Sequence, residues 1–203
     1  MSWRMRLTRI LLWISVLSWG VLLGAKLFDL RVLVGAWSAS PPESLSLLPY
    51  GPHYPVDTGD FFIPISAALL VASFGALISG WRTPPNYRIL LILPALMILG
   101  SLIFTVVAFW PRNAALWAVA TGSVTATKDR AAVIGMVHEW VAYDWLRVSM
   151  GVVGFVCAIR AISIPFPDLK SRALPASLAM KLLYGVGISA TVLFLIYFVS
   201  RAF

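Results

Sequence analysis

A ten-residue stretch, "HEWVAYDWLR" (138–147), brings together a histidine, a glutamate, an aspartate, an arginine and two tryptophans. Histidine changes protonation near neutral pH, so His138 is a candidate acid or base. Asp144 and Arg147 stand three residues apart, a spacing at which opposite charges pair on a helix. The stretch then runs into an apolar segment. Three explanations are open: a reaction site, a helix-packing seam, or an aromatic belt at a membrane interface.

Helical spacing favours the seam. Residues at steps of three and four share one stripe of a helix, and here the stripe is polar at one end and small at the other. Small residues let two membrane helices approach closely, and a charged pair is costly if it faces lipid. His138 lies on a different face, which disfavours a His–Asp dyad. The predicted seam consists of Trp140, Asp144, Arg147, Gly151 and Gly154, continued by Ala158.

A second charged pair lies near the end of the first apolar segment. Lys26 and Asp29 are again three residues apart. If the two helices pack together, these charges can meet Asp144 and Arg147 across a bundle. We therefore expect a small polar cluster at the outer mouth of the protein.

The elements that must position these residues are membrane spans. The chain has 203 residues, of which 60% are hydrophobic and only 12% charged, about half the charged share of a soluble protein. We predict an all-α integral membrane helix bundle in one domain, 1–203, with a four-helix core over 10–165 and an extra C-terminal helix. Spans of about 20 residues are expected at 10–30, 61–81, 89–110, 142–164 and 177–200.

The segments between the spans are expected to be less regular. Pro, Ser and Gly argue against a continuous helix over 31–60, and 111–127 is predicted to be a loop. Thr127 is a candidate N-cap for a long helix that begins at Lys128. The first span is expected to be retained, because no small-x-small cleavage site follows it.

Several function classes find no support in the sequence. The single cysteine, Cys157, allows neither a disulfide within the chain nor a CxxC site. Nucleotide-binding and zinc-protease motifs are not found, so we expect no metal and no cofactor. The net charge of +8 is explained by basic residues at the inner ends of spans rather than by nucleic acid. This bias predicts a bacterial inner-membrane protein in a lipid bilayer, with its N-terminus inside and its C-terminus outside.

Four sequence segments, in this order, resemble a known family of small membrane proteins. They are "VLVGAWSASPPESL" (32–45), "FFIPIS" (61–66), "TVVAFWPRNAAL" (105–116) and the pattern Trp140-x3-Asp144-x2-Arg147. The set resembles the family that includes the anthrone oxygenases, most of whose members have no assigned function. The resemblance implies a four-helix membrane bundle with a Pro-x-Asn motif after the third helix, here Pro111 and Asn113. Asp144 stands where the family often has Asn, which changes the local charge.

The same resemblance implies a chemistry. Anthrone oxygenases are thought to use no metal or organic cofactor: a base removes a proton from an activated aromatic substrate, and the carbanion reacts with oxygen. Only His53 and His138 suit a base near neutral pH without help from their surroundings. For an enzyme of this type the expected site is His138, Asp144, Arg147 and Asn113.

Two functions therefore stand side by side. Since fold does not fix chemistry, we favour an accessory subunit that packs against other membrane-protein subunits, with the Asp144–Arg147 stripe as a structural seam. The alternative is a cofactor-free anthrone-type oxygenase that acts on a hydrophobic aromatic substrate at the outer face of the membrane.

Overall fold

The computed structural model describes residues 3–49 and 58–167, and within these two ranges the chain is helical and contains no strand. Six α-helices are joined partly by tighter or wider turns of helix. They are α1 (Trp3–Phe28), α2 (Val34–Trp37), α3 (Thr58–Ser79), α4 (Pro85–Phe104), α5 (Trp110–Ala120) and α6 (Arg130–Ser163). A π-helical turn, Asp29–Leu33, joins α1 to α2, and a second, Thr105–Phe109, joins α4 to α5. A short 3₁₀ helix, Glu43–Leu47, follows α2.

Four helical segments in the described residues are long and apolar enough to cross a membrane, which confirms the all-α class and the first four predicted spans. Their lengths are those of an integral membrane protein. The predicted fifth span, 177–200, and His53 lie outside the described residues. The four segments are Trp3–Trp37, Thr58–Ser79, Pro85–Ala120 and Arg130–Ser163.

The predicted ends of two helical segments are wrong, because the helices run further than the composition indicates, although the expected break in the helix within 31–60 is present. The first helical segment continues to Trp37, since the cluster of Ser and Pro starts only at Ser38 and a single glycine does not end a helix. The segment that starts at Pro111 is helical to Ala120. Pro111 lies in the first turn of α5, directly after the π-helical turn Thr105–Phe109.

The start of α6 also differs from the prediction. The helix begins at Arg130, and the cap is Asp129 rather than Thr127. The Asp129 side chain accepts a hydrogen bond of 2.9 Å from the backbone N–H of Ala131, as an N-cap residue does. The Thr127 hydroxyl accepts only from the backbone of Asp129, at 3.3 Å.

The chain divides into two compact units. The first contains the residues up to Gly20, Ser66–Gly100 and the described residues from Met150 onward. Hydroxyl groups pair across its helices, with Oγ1 of Thr8 donating to Oγ of Ser79 at 2.8 Å. A similar contact of 3.0 Å joins Ser15 and Ser73. Such pairs satisfy polar groups that have no access to water inside a membrane protein.

The second unit contains Val21–Ile65 and Ser101–Ser149, and both π-helical turns belong to it. The segment after α2 packs onto this unit through Leu45 and Leu48, which are buried. An exposed ion pair between Glu43 and Arg130 joins this segment to the start of α6. The residues that carry the chemistry discussed below all lie in this second unit.

Candidate functional site

The site is centred on Asp144, a fully buried carboxylate in α6. Its Oδ1 accepts a hydrogen bond of 2.9 Å from Nε of Arg147 and a second one from Nη2 of the same guanidinium. Nζ of Lys26, from α1, lies 3.2 Å from the same oxygen. The other oxygen, Oδ2, is buried and has no hydrogen-bond partner among the described residues. One oxygen of the carboxylate is thus saturated with cations, and the other is left open.

Lys26 extends this arrangement to a second carboxylate. Its Nζ donates to Oδ2 of Asp29 at 2.7 Å, and Asp29 is itself buried. Two cations and two anions therefore alternate in the order Asp29, Lys26, Asp144, Arg147, which we call the polar cluster. Its formal charge is zero, which limits the cost of taking four charges out of water. The predicted meeting of the two charged pairs is thus present in the structure.

The guanidinium of Arg147 is fixed by two further contacts. Its Nη1 donates to Oγ1 of Thr105 at 3.0 Å, and that hydroxyl donates in turn to the carbonyl of Ser101 at 2.8 Å. The ring of Phe109 lies beneath the guanidinium, with 3.5 Å between Cζ and the ring centroid. An ion pair, a hydroxyl and an aromatic face together leave Arg147 little freedom to reorient.

The two π-helical turns supply residues of this site. Asp29 opens the first turn, and Thr105 and Phe109 open and close the second. A π-helical turn inserts an extra residue and so rotates the side chains that follow it relative to a regular helix. Such turns are rare and are found frequently at functional sites. Both occur in the unit that contains the polar cluster.

An aromatic wall lines the cluster on one side. The ring of Trp140 makes edge-to-face contacts, with centroid distances of 5.0 Å, to both Trp37 and Phe109. Its indole N–H donates to Oδ1 of Asn113 at 2.7 Å. Lys26 Nζ lies 5.3 Å from the centroid of the Phe62 ring and 5.7 Å from that of Trp140. Both cations of the cluster therefore contact aromatic rings as well as carboxylates.

The indole N–H of Trp37 is a second unsatisfied polar group. The side chain is fully buried, and its Nε1 has no hydrogen-bond partner among the described residues. Trp37 is the last residue of α2, and its carbonyl accepts a hydrogen bond of 2.6 Å from Oγ of Ser44. An unpaired donor, Trp37 Nε1, and an unpaired acceptor, Asp144 Oδ2, thus lie in the same unit. Trp37 contacts the ring of Trp140, and Asp144 follows Trp140 by four residues on α6.

The other residues that the sequence analysis singled out lie outside the polar cluster. His138 is exposed on α6, and its neighbour Glu139 pairs with Arg112 at 2.9 Å. Asn113 binds Trp140 and not Arg147. Gly151 and Gly154 are buried in the first unit. A Cβ at Gly154 would lie 2.4 Å from the ring of Trp19, so this part of the stripe does contact another helix closely.

Sequence reasoning missed Thr105, Phe109 and Trp37. Thr105 and Phe109 are ordinary members of an apolar span, and no local signal announces a π-helical turn. Trp37 is one of nine tryptophans in the chain, and no spacing pattern distinguishes it from the others. The charged members of the cluster could be found because ionisable residues near apolar segments are unusual.

The donor set does not resemble a metal centre. Among the residues that the structure describes, no group of three or more His, Cys, Asp or Glu side chains converges as metal ligands do. Within the polar cluster the ammonium of Lys26 lies between the two carboxylates, in the place that a bound cation would need.

Fold and site together define a helical membrane protein with four described spans and a buried, charge-balanced polar cluster. The sequence model of the anthrone oxygenase family matches residues 54–157, slightly more than half of the chain. The chain therefore belongs to the anthrone oxygenase family. No curated protein and no solved structure matches the chain.

Proposed function

We propose that this protein is a membrane-embedded oxygenase of the anthrone type and that the polar cluster is its reaction site. The observation that carries the proposal is the open oxygen of Asp144: a buried carboxylate whose Oδ1 is held by Lys26 and Arg147 while Oδ2 has no partner among the described residues. Leaving a buried acceptor unpaired costs about 1–3 kcal/mol. Such a group is explained if a substrate supplies the missing donor.

The reaction needs one proton to be removed before oxygen can react. An anthrone carries a methylene group opposite a ring carbonyl and exchanges with its hydroxyl tautomer. In the proposed mechanism Oδ2 of Asp144 accepts a proton from the substrate and leaves an electron-rich enolate. Molecular oxygen then adds at the former methylene carbon. That carbon ends as a carbonyl with one oxygen atom from O2, and the other oxygen atom leaves as water with the two hydrogens.

Charge balance supports this assignment. When Asp144 takes up the proton it becomes neutral, and the substrate acquires the negative charge in its place. The total charge stays at zero, and Lys26 and Arg147 can pair with the enolate without moving far. Preorganised cations near a developing negative charge are among the largest sources of catalysis in enzymes.

The resemblance adds a refinement, because many family members have Asn where this chain has Asp144. An amide can accept a hydrogen bond but is a very poor proton acceptor. The extra negative charge of Asp144 is matched here by Lys26, which lies outside the residues that the family model matches. We therefore propose that Asp144 accepts the proton in this chain, with Lys26 balancing its charge, and we do not extend this role to the whole family. Under this proposal the exposed His138 does not act as the base, although Arg147 and Asn113 belong to the site.

The test uses a charge-balanced variant. Asp144→Asn combined with Arg147→Gln removes one charge of each sign, keeps the cluster neutral and leaves the Lys26–Asp29 ion pair in place. The purified protein is given anthrone in aerated detergent, and anthraquinone formation and oxygen uptake are followed. We expect turnover by the native protein, and a folded, monodisperse double variant without turnover. Full activity in that variant would remove Asp144 as the proton acceptor, and an inactive native protein would remove the oxygenase function.

The accessory subunit is the second candidate. In the first unit, α1 exposes a series of large apolar side chains, among them Trp3 at 72%, Trp13 at 54% and Leu17 at 63% exposure. Such a surface suits lipid or another subunit. The buried Asp144–Arg147 pair then acts only as an anchor within the seam. Purification in a mild detergent separates the two candidates: a stable larger assembly without anthrone turnover supports the subunit, and an active single chain supports the enzyme.

Location and orientation belong to the same proposal. We place the protein in a bacterial inner membrane with its N-terminus inside, because Arg4, Arg6 and Arg9 lie at the N-terminal end of the first span. With five spans the C-terminus is outside. The end of α1 that carries Lys26 then faces the outer side, and a hydrophobic substrate would reach the polar cluster from there.

A further inference from the structure

We infer that Trp37 is a specificity-determining residue of this site, whose indole N–H donates a hydrogen bond to a carbonyl oxygen of the bound substrate. The inference rests on the proposed function, but its physical basis is separate. It starts from the unpaired Nε1 of Trp37, a group that the acid–base assignment does not use.

The first step is the burial of that donor. Trp37 is 0% exposed, and its N–H has no partner among the described residues. Buried tryptophans normally find an acceptor for this proton, and a donor without one costs free energy in the folded protein. A bound ligand that accepts a hydrogen bond from this N–H would remove that cost.

Trp37 forms part of the aromatic wall described above. Trp37 contacts Trp140 edge to face at 5.0 Å, and Trp140 lies one helical turn before Asp144, whose Oδ2 is the unpaired acceptor. In the proposed complex a ligand held against this wall meets both the free N–H of Trp37 and the free Oδ2 of Asp144. These are complementary to a molecule that presents a carbonyl at one position and a proton to give away at another.

The third step is chemical. When a proton leaves the substrate, negative charge moves onto its carbonyl oxygen. A fixed N–H directed at that oxygen binds the charged form more strongly than the neutral one, as an oxyanion donor does. Trp37 therefore has two consequences: it selects ligands that carry a carbonyl, and it lowers the barrier to proton removal.

Trp19 provides a matched comparison within the same chain. It is also buried, and its Nε1 is also without a partner among the described residues. It lies in the first unit and packs on the backbone of Gly154, whereas Trp37 packs on the wall that borders the charged cluster. The two tryptophans share burial and an unpaired N–H and differ in surroundings, so Trp19 is the control.

The experiment replaces each tryptophan with phenylalanine, which keeps an aromatic ring and removes the N–H. Radiolabelled anthraquinone and anthracene are bound to the native protein and to both variants in lipid nanodiscs. Anthraquinone carries carbonyl acceptors, and anthracene has a similar ring frame without oxygen. We expect the native protein to prefer anthraquinone and Trp37→Phe to weaken its binding about fivefold to tenfold. Anthracene binding should be unchanged, and Trp19→Phe should leave the preference as it is.

Two further readouts separate a substrate contact from a structural role. Trp37→Phe should lower kcat for anthrone about a hundredfold, as the loss of an oxyanion donor does, with a smaller change in KM. Its melting temperature should be equal to or above that of the native protein, because an unpaired donor has been removed. A lower melting temperature together with an unchanged ligand preference would show a structural hydrogen bond and overturn the inference.

The outcomes also distinguish this inference from the proposed function. Turnover of anthrone with no loss of carbonyl preference in Trp37→Phe keeps the oxygenase and rejects the role of Trp37. Carbonyl preference that is lost in Trp37→Phe, without turnover by the native protein, rejects the oxygenase and keeps the binding site. If the native protein does not prefer anthraquinone over anthracene, the inference is wrong.

Discussion

Lys26 joins two carboxylates that are far apart in the sequence: its Nζ lies 2.7 Å from Oδ2 of Asp29 and 3.2 Å from Oδ1 of Asp144. One ammonium group thus links the end of the first helical segment to α6. A buried charge is tolerated only while its partners are present. The cluster should therefore respond to substitutions according to charge balance rather than to the size of the side chain removed.

The first prediction concerns Arg147. Arg147→Ala leaves Asp144 with Lys26 alone and gives the cluster a net negative charge, so it should destabilise the fold by about 3–5 kcal/mol. Adding Asp144→Asn restores neutrality and should recover much of the folded yield, measured by size-exclusion chromatography in detergent. Arg130→Ala is the control, because the Arg130–Glu43 pair is exposed to solvent and exposed ion pairs add little to stability. Equal yields of the single and double variants would contradict the anchoring role of the pair.

The second prediction concerns Gly154. A Cβ at this position would lie 2.4 Å from the ring of Trp19, so Gly154→Leu should destabilise the first unit by about 1–3 kcal/mol through overpacking. Gly135 on the same helix has no atom within 4 Å of such a Cβ, and Gly135→Leu should leave the melting temperature almost unchanged. A Gly154→Leu protein that melts like the native one would mean that this face does not pack against another helix.

The third prediction concerns pH. A hydrogen bond from the backbone and the neighbouring Arg130 guanidinium hold the pKa of Glu43 below its usual value of 4.5. Because the pKa of Glu43 is lower in the folded protein than in the unfolded chain, ionised Glu43 stabilises the folded state above pH 4.5. This stabilisation is lost as the pH falls through the lower pKa of the folded state. Protease cleavage within residues 38–49 should therefore increase on acidification below about pH 4.5. A protease that is active in acid is needed for this measurement.

Glu43→Gln is the control for that experiment, because it removes the titrating group and keeps the size of the side chain. In this variant the acid-dependent part of the cleavage should disappear. Cleavage that rises equally in both proteins would assign the pH response to another group.

The fourth prediction concerns topology. With the N-terminus inside, a reporter fused after Ser163, where α6 ends, should be cytoplasmic. A reporter fused at Phe203, beyond the predicted fifth span, should lie outside. The two fusions must therefore give opposite signals, and identical signals would reject a spanning segment at 177–200.

The sequence by itself determined the membrane class and the number of described spans. Long apolar segments with few charges are most stable in a lipid bilayer. A helix is stable there because it pairs the backbone N–H and C=O groups within the segment. The stripe from Trp140 to Gly154 could also be predicted from the sequence, because helical periodicity is a local property of the chain. The spacing of Asp144 and Arg147 likewise predicted a pair that the structure contains.

Only the tertiary structure decided what that pair does. Whether Lys26 reaches Asp144 depends on how two distant helices pack, and Thr105 reaches Arg147 from a π-helical turn that no local pattern predicts. The two open groups, Oδ2 of Asp144 and Nε1 of Trp37, are defined by partners that are missing in space. A sequence records which groups can form hydrogen bonds, but whether a group is left unpaired depends on every neighbour that the fold brings to it.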